Sequence, residues 1–268
     1  MRASVFLFLS ILYVVLIYGL PLCAVAWLIA IMHGTGGRAA AFVCAPVTIA
    51  TLVALIAGAL STPHQRWIKP GRMRRNLGNP SYFHRRLYGL CWTALYYATP
   101  LYGICLAIPV LKRITFRMFG YRGQMKFTVY PDTWIRDLPL LNIGERAYVS
   151  NKATLGTNMV MGKNIVVDRI ELERDTLIGH LAMIGPGTYI GSNSEVGVGA
   201  SIGLRVRIGA DSIVGGLCAV ESGTEIGEGV RIGARSLIGA GAMIANGASI
   251  PLGGFVAAGS ESKDRRSA

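Results

Sequence analysis

The chain has 268 residues, room for one large domain or two small ones, and 52% of them are hydrophobic against 15% charged. The formal net charge of +13 is one-sided: all 14 Asp and Glu lie at or after Asp132, whereas 14 of the 27 Lys and Arg precede it. Those basic residues flank long apolar runs and not a folded polar surface, which argues against a nucleic-acid partner and for an anionic membrane face.

The N-terminal part carries two runs long enough to span a bilayer core, Ser4 to Met32 and Ala39 to Leu60. The short stretch between them, His33 to Arg38, leaves room only for a tight turn, so residues 1–60 are predicted to form a transmembrane helical hairpin. Pro21 and Pro46 lie inside the runs, which membrane helices tolerate better than soluble ones. A secretory signal is disfavoured, because the apolar run is too long and continues past the small-residue site at Ala24 to Ala26.

Residues 61–130 read as a basic linker with a third apolar run, Tyr88 to Leu111. Basic residues flank this run on both sides, and Trp92, Tyr96, Tyr97 and Tyr102 with Pro100 and Pro109 suit an interfacial or re-entrant segment. Seven Lys and Arg in residues 61–87 oppose the single Arg38 of the turn. The positive-inside rule then sets the N-terminus and the repeat that follows in the cytoplasm, in a multi-pass protein of the cell inner membrane.

From Ile143 to Val256 an aliphatic residue recurs every six positions, usually followed by glycine. The series runs Ile143, Val149, Leu155, Met161, Val167, slips by one, and resumes from Leu172 through Ile178, Ile184 and onward to Val256, 20 hexads in all. A helix needs a period near 3.6 and a half-buried strand a period of 2. A period of six describes a short strand and a bend, three of which close one triangular coil about 4.8 Å high. The count gives six to seven coils across residues 131–260, with the glycines expected to supply φ > 0 at the corners. Residues 261–268, with Lys263, Arg265 and Arg266, are expected to be a disordered basic tail.

This block resembles the hexapeptide-repeat family of left-handed parallel β-helices, many of them acyl- or acetyltransferases. The resemblance implies an acyl-CoA or acyl carrier protein as donor substrate, with no permanently bound cofactor, and a homotrimer is expected because a single convex prism needs a neighbour's edge to enclose a donor groove. The order of apolar helix pair, Lys69-Pro70-Gly71-Arg72, interfacial run and hexads is also similar to the membrane region of poly-lysine-type nonribosomal peptide synthetases.

Of four histidines only His180 lies in the repeat, two positions after Ile178, on the outer surface of a corner. An imidazole there is reachable by a substrate lying along the prism edge and suits general-base work. His180 to Gly185 reads H-x-x-x-I-G, as in the acyltransferases in which histidine deprotonates the attacking sugar hydroxyl or amine. The family further implies a backbone N–H oxyanion donor one coil on, which falls at Val198 between Gly197 and Gly199. Arg205 and Arg235 are candidates for the phosphates of coenzyme A, against the simpler reading of solvated charges. The slip after Val167 is expected to bring Asp168, Glu171, Glu173 and Asp175 below His180, with Asp168 first among them to orient the imidazole or hold an amino or hydroxyl acceptor. Arg207 and Glu225, one coil apart, are expected to pair. The five cysteines form no disulfide framework, and no Cys/His cluster suggests a metal. A γ-carbonic anhydrase is disfavoured because its shared three-histidine zinc site needs more than one prism histidine.

The acceptor favoured by this arrangement is a hydroxyl or amine of a lipid-linked or envelope glycan precursor, with amide-forming peptide-synthetase-like transfer or a non-catalytic trimeric scaffold as alternatives. A reporter fused after Ala268 is expected to be active in the cytoplasm; activity confined to the periplasmic side would overturn the topology and the coenzyme A donor together.

Overall fold

The computed structural model describes residues 2–262. The chain forms two compact units, residues 1–68 with 73–121 and residues 69–72 with 122–268. Of the tail expected at 261–268, Glu261–Ser262 form a last short strand, and the rest lies outside the described residues.

The first unit is helical. Helices α1 (Arg2–Ile31) and α2 (Gly34–Gln65) are both long and apolar enough to cross a membrane. Within such runs every backbone group bonds inside its own helix, so no water is needed. The reversal between them is shorter than expected from the sequence: Gly34 takes φ +76°, and the Arg38 guanidinium closes the turn with a 3.1 Å bond to the Met32 carbonyl. Past the hairpin the expected linker is instead folded. Helix α3 (Pro80–Tyr97) starts where Asn79 caps the Ser81 and Tyr82 N–H groups and Pro80 occupies the first turn. The third apolar run is cut at Ala98 and Ile108 by the prolines that follow them, giving α4 (Thr99–Ala107) and α5 (Pro109–Met118). Helices α3 and α4 meet at 84°, the geometry of a broken span or re-entrant loop. They are held by aromatic edge-to-face contacts of Trp92 with Phe119, Tyr102 and Phe116, at 5.1, 5.6 and 6.4 Å between ring centres.

The second unit is a parallel β-solenoid of three seven-stranded sheets, the three faces of a prism. The first face runs from Thr128–Val129 to Ser249–Ile250, the second from Trp134–Ile135 to Phe255–Val256, the third from Leu141–Ile143 to Glu261–Ser262. From Leu172 onward each strand pairs with its equivalent three hexads later, so Ile178 faces Val196 and Ile190 faces Ile208. The recurrent aliphatic residues fill the interior: Ile178, Ile190, Ile208, Val214 and Ile238 are fully buried. Burial of each is worth about 1.5–3 kcal/mol.

Three sequence expectations change. The solenoid opens at Thr128, two strands before the one that carries Ile143, because Val129 and Ile135 already point inward while a 3-10 turn at Leu138–Leu140 hides the period before Ile143. Met161 and Val167 are not coil steps. Asn158–Met161 and Asn164–Val167 form an antiparallel hairpin inserted between Leu155 on the second face and Leu172 on the third. The slip in the period marks this insertion and not a shortened hexad.

The glycine directly behind most inward aliphatic residues also has a different purpose from the one expected. Left-handed φ falls two positions later, on Leu181, Gly199, Leu217 or Gly241. The glycines behind the aliphatics are needed because the next coil passes too close for a Cβ: one added at Gly209 would lie 2.6 Å from the Glu228 nitrogen and the Gly227 carbonyl. A row of small residues two positions before the inward ones completes the packing. Ser194, Ser212 and Ser236 are buried there, their hydroxyls donating to the carbonyls of Gly209, Gly227 and Pro251 at 2.7, 2.9 and 3.0 Å.

Gly209→Ala is therefore expected to destabilise the solenoid far more than Gly241→Ala. At Gly241 an added Cβ meets nothing within 4 Å, and only the left-handed backbone, at about 1–2 kcal/mol, opposes it. Thermal unfolding of the two variants checks this; equal losses would show that coil spacing adapts.

Candidate functional site

His180 stands at the corner between the first and second faces. Ile178 ends its strand and Leu181 bends the chain with φ +60°. The same corner stacks Asn151, His180, Val198, Gly216, Ala234 and Leu252 at successive coils, tied by backbone bonds. The Leu181 N–H donates to Asn151 O (3.3 Å), Gly199 N–H to His180 O (2.8 Å) and Leu217 N–H to Val198 O (2.8 Å). The imidazole is half-buried, and its side chain makes no hydrogen bond or ion pair among the described residues.

Directly above it, the three N–H groups proposed as oxyanion donors divide. Gly197 N–H is spent on Val214 O at 2.8 Å and Gly199 N–H on His180 O, whereas the Val198 N–H makes no backbone hydrogen bond among the described residues. Glycine at 179 is required here too, since a Cβ there would sit 2.7 Å from the Val198 nitrogen. Exposed apolar side chains border the imidazole: Leu181, Met183 and Val198 are each about half accessible, and Leu217 and Leu252 continue the edge. Arg235 lies on this same edge, beside Ala234, three coils beyond His180, or about 14 Å along the axis at the usual interstrand spacing.

Asp168 and Arg205 are elsewhere. They meet at the corner between the second and third faces, where Arg205 Nε lies 3.3 Å from Asp168 Oδ2 and Asp168 Oδ1 accepts from the Arg169 N–H. A full strand of the second face separates that corner from His180, so within one copy Asp168 does not reach the imidazole. The inserted hairpin is the reason: it carries Asp168 back to the prism at the far end of the second face. Glu171 pairs in register with Tyr189 on the third face. Asp175 lies at the third corner, with both oxygens 2.6 Å from the Arg146 guanidinium. Arg207 and Glu225 are in register but form no ion pair among the described residues. The Arg207 guanidinium lies instead over the Tyr189 ring, 5.0 Å from its centre, a contact that a delocalised cation makes with little desolvation.

Two concavities also lie away from His180. One of about 650 Å³ runs along the third face between Tyr189, Arg207, Glu225, Met243 and Asn246. A second, of about 430 Å³, lies between Asp168, Thr188, Tyr189 and Arg205. The small-residue row and the inserted hairpin are the features that the aliphatic period alone does not disclose. A Ser, Thr, Cys or Ala two positions before most inward residues was the signal for the first.

The chain matches no family model, and no curated protein sequence is similar to it. Solved structures share part of its architecture. The acetyltransferase domain of PglB from Neisseria gonorrhoeae aligns at 19% identity over 35% of this chain and 49% of its own, with a TM-score of 0.29. This chain thus spans about half the length of that relative. A hexapeptide-repeat-containing acetyltransferase from Vibrio cholerae aligns at 18% identity over 46% of this chain and 86% of its own, with a TM-score of 0.31. A perosamine N-acetyltransferase mutant from Caulobacter crescentus, in complex with CoA and GDP-perosamine, aligns at 19% over 57% of this chain and 54% of its own, TM-score 0.18.

The Arg146 bridge holds the Asp175 carboxyl below its ordinary pKa, first through the hydrogen bonds and then through charge. A depressed carboxylate stabilises the fold above its unfolded pKa and loses that contribution as the pH falls through the folded one. The melting-temperature difference between wild type and Arg146→Gln is expected to be present near neutral pH and to close in acid. A difference that persists unchanged in acid would show that the bridge acts by packing and not by charge.

Proposed function

We propose that the prism is a membrane-anchored acyltransferase in which His180 is the general base. The observation that carries this reading is the pairing, at one corner, of the single repeat imidazole with a backbone N–H one coil on, at Val198, that the fold leaves unspent. In the step proposed, His180 takes the proton from an acceptor hydroxyl or amine as that atom attacks the carbonyl of an acyl thioester. The new C–O or C–N bond places negative charge on the carbonyl oxygen, which the Val198 N–H meets. The intermediate then expels the thiolate, and the imidazolium returns the proton to the sulfur. Gly197 and Gly199 themselves add no side chain beside that N–H.

The donor is acyl-CoA or an acyl carrier protein, with Arg235 on the same edge for its phosphates; Arg205, bound to Asp168 on the next corner, is not assigned this role within one copy. An isolated corner is convex, and the second wall of a donor groove is assigned to another copy in a homotrimer. The hairpin helices support an acceptor at the bilayer, a lipid-linked or envelope glycan precursor, and the charge asymmetry of the flanking segments supports a cytoplasmic prism. Asp168 would support His180 only from a neighbouring copy.

His180→Ala is expected to fold, because an outer corner contributes little to the stacked interior, and to lose about 10²–10⁴-fold in acyl transfer. Product from the variant at a rate near that of wild type, measured by mass spectrometry of lipid and glycan extracts, would leave the prism as a scaffold or assign the base elsewhere.

A further inference from the structure

Outside the prism, the helical unit contains a chain of polar side chains, one from each of three helices. His64 of α2 is buried (5% exposed). Its Nε2 lies 3.1 Å from the Tyr13 hydroxyl of α1, and its Nδ1 lies 2.9 Å from Nδ1 of His84 on α3. Only one proton fits between two facing Nδ1 atoms, so at least one of the two rings is neutral. The free end of the chain is Nε2 of His84.

The His84 ring is fixed in plane by Trp67, stacked at 4.7 Å and 11°, and by Phe83 edge-on at 5.5 Å. The Arg66 guanidinium lies over the other partner of this stack, 5.8 Å from the Trp67 ring, and is exposed. Arg86, also exposed, lies over Phe6, which packs edge-on against Phe83. The Trp67 Nε1–H is buried and has no hydrogen-bond partner among the described residues. This cluster is rich in donors and has no anion. No carboxylate side chain precedes Asp132 to supply one, and neither Arg66 nor Arg86 forms an ion pair among the described residues.

Polar and ionisable groups buried in a membrane bundle are costly and mark functional positions. A guanidinium, an indole N–H and an imidazole nitrogen oriented by a second imidazole are matched by an oxyanion with several acceptor oxygens. His64 is the penultimate residue of α2 and His84 the fifth of α3, so the cluster belongs to helix ends on the side where Lys69, Arg72, Arg74 and Arg75 follow. At that level of a bilayer the available oxyanion is the phosphate of a lipid headgroup. We propose that Arg66 and His84, positioned by Trp67, His64 and Tyr13, bind the phosphate of an anionic lipid. The site stands independently of the acyl transfer assigned to the prism. Its ligand is either the bulk phospholipid or the phosphate of a lipid-linked acceptor.

The test uses the full-length protein in detergent, with native mass spectrometry after addition of phosphatidylglycerol, a polyprenyl phosphate or neutral diacylglycerol. Wild type is expected to retain the two phosphate lipids and not diacylglycerol. Arg66→Gln, at an exposed position that does not threaten folding, and His84→Gln are each expected to lower retention by roughly 10- to 100-fold, the worth of one charge-assisted hydrogen bond. Arg113→Gln, an exposed cation of α5, is the control and should not. Preferential retention of the polyprenyl phosphate assigns the site to a lipid-linked acceptor, and equal retention of the two assigns it to the bilayer itself. Undiminished retention in Arg66→Gln, or an equal loss in Arg113→Gln, overturns the site. No acyl donor is present in the assay, so either result leaves the role of His180 to its own experiment.

Discussion

The second unit depends on the registration of each coil with the next, three hexads on, through its regular part. Strands so short have no stability alone, and each is held by bonds to the strands above and below. The corners are bonded as well, as in Gly199 N–H to His180 O and Leu217 N–H to Val198 O. Strand and corner bonds together fix the height of every residue against its equivalent on the next coil. That is why His180 and the Val198 N–H, one coil apart, can act as neighbours. The glycines behind the inward aliphatics serve the same registration, since a Cβ at Gly179, Gly197 or Gly209 would force the next backbone away.

Such registration leaves the outward positions free to differ. Along the second face they are Met183, Ser201, Ala219, Leu237 and Phe255, and along the third Glu171, Tyr189, Arg207, Glu225, Met243 and Glu261. One interior therefore carries a small or apolar face and a charged one, joined by corners. His180 belongs to the edge of the apolar face, while the Tyr189–Arg207 contact and both concavities belong to the charged one. The proposed base is thus set beside exposed apolar side chains, and Asp168, Glu171 and Asp175 lie a strand or more away.

The interior was legible in the sequence because burial of an aliphatic residue at every sixth position leaves a sustained period of six. Where a side excursion consists of apolar residues that happen to keep the period, the period misleads. Met161 and Val167 fall on it and belong to the hairpin, while Val129 and Ile135 belong to the prism and precede the point where a 3-10 turn disturbs the count. The position of His180 on an outer corner follows from its distance to Ile178 alone. The company it keeps does not, because a corner assignment for Asp168 requires knowing which face the chain returns to after the hairpin. In-register spacing also fixes adjacency without fixing contact: Arg207 has Glu225 beside it and still lies over Tyr189.

Charge is handled differently in the two units, and the difference bears on what each can bind. In the prism, cations have carboxylates within reach: Arg146 takes Asp175, Arg205 takes Asp168 and Lys126 takes Glu145. Such exposed pairs contribute little to stability but leave the surface close to neutral. The helical unit has no carboxylate side chain at all, so none of its arginines can be neutralised from within. Stacking on Trp67 or Phe6 stabilises a guanidinium without cancelling its charge. An anion at the headgroup level would cancel it, and the same attraction is the basis of the orientation proposed for α1 and α2. The proposed orientation and the proposed phosphate site thus rest on one omission from the sequence, the absence of Asp and Glu before residue 132.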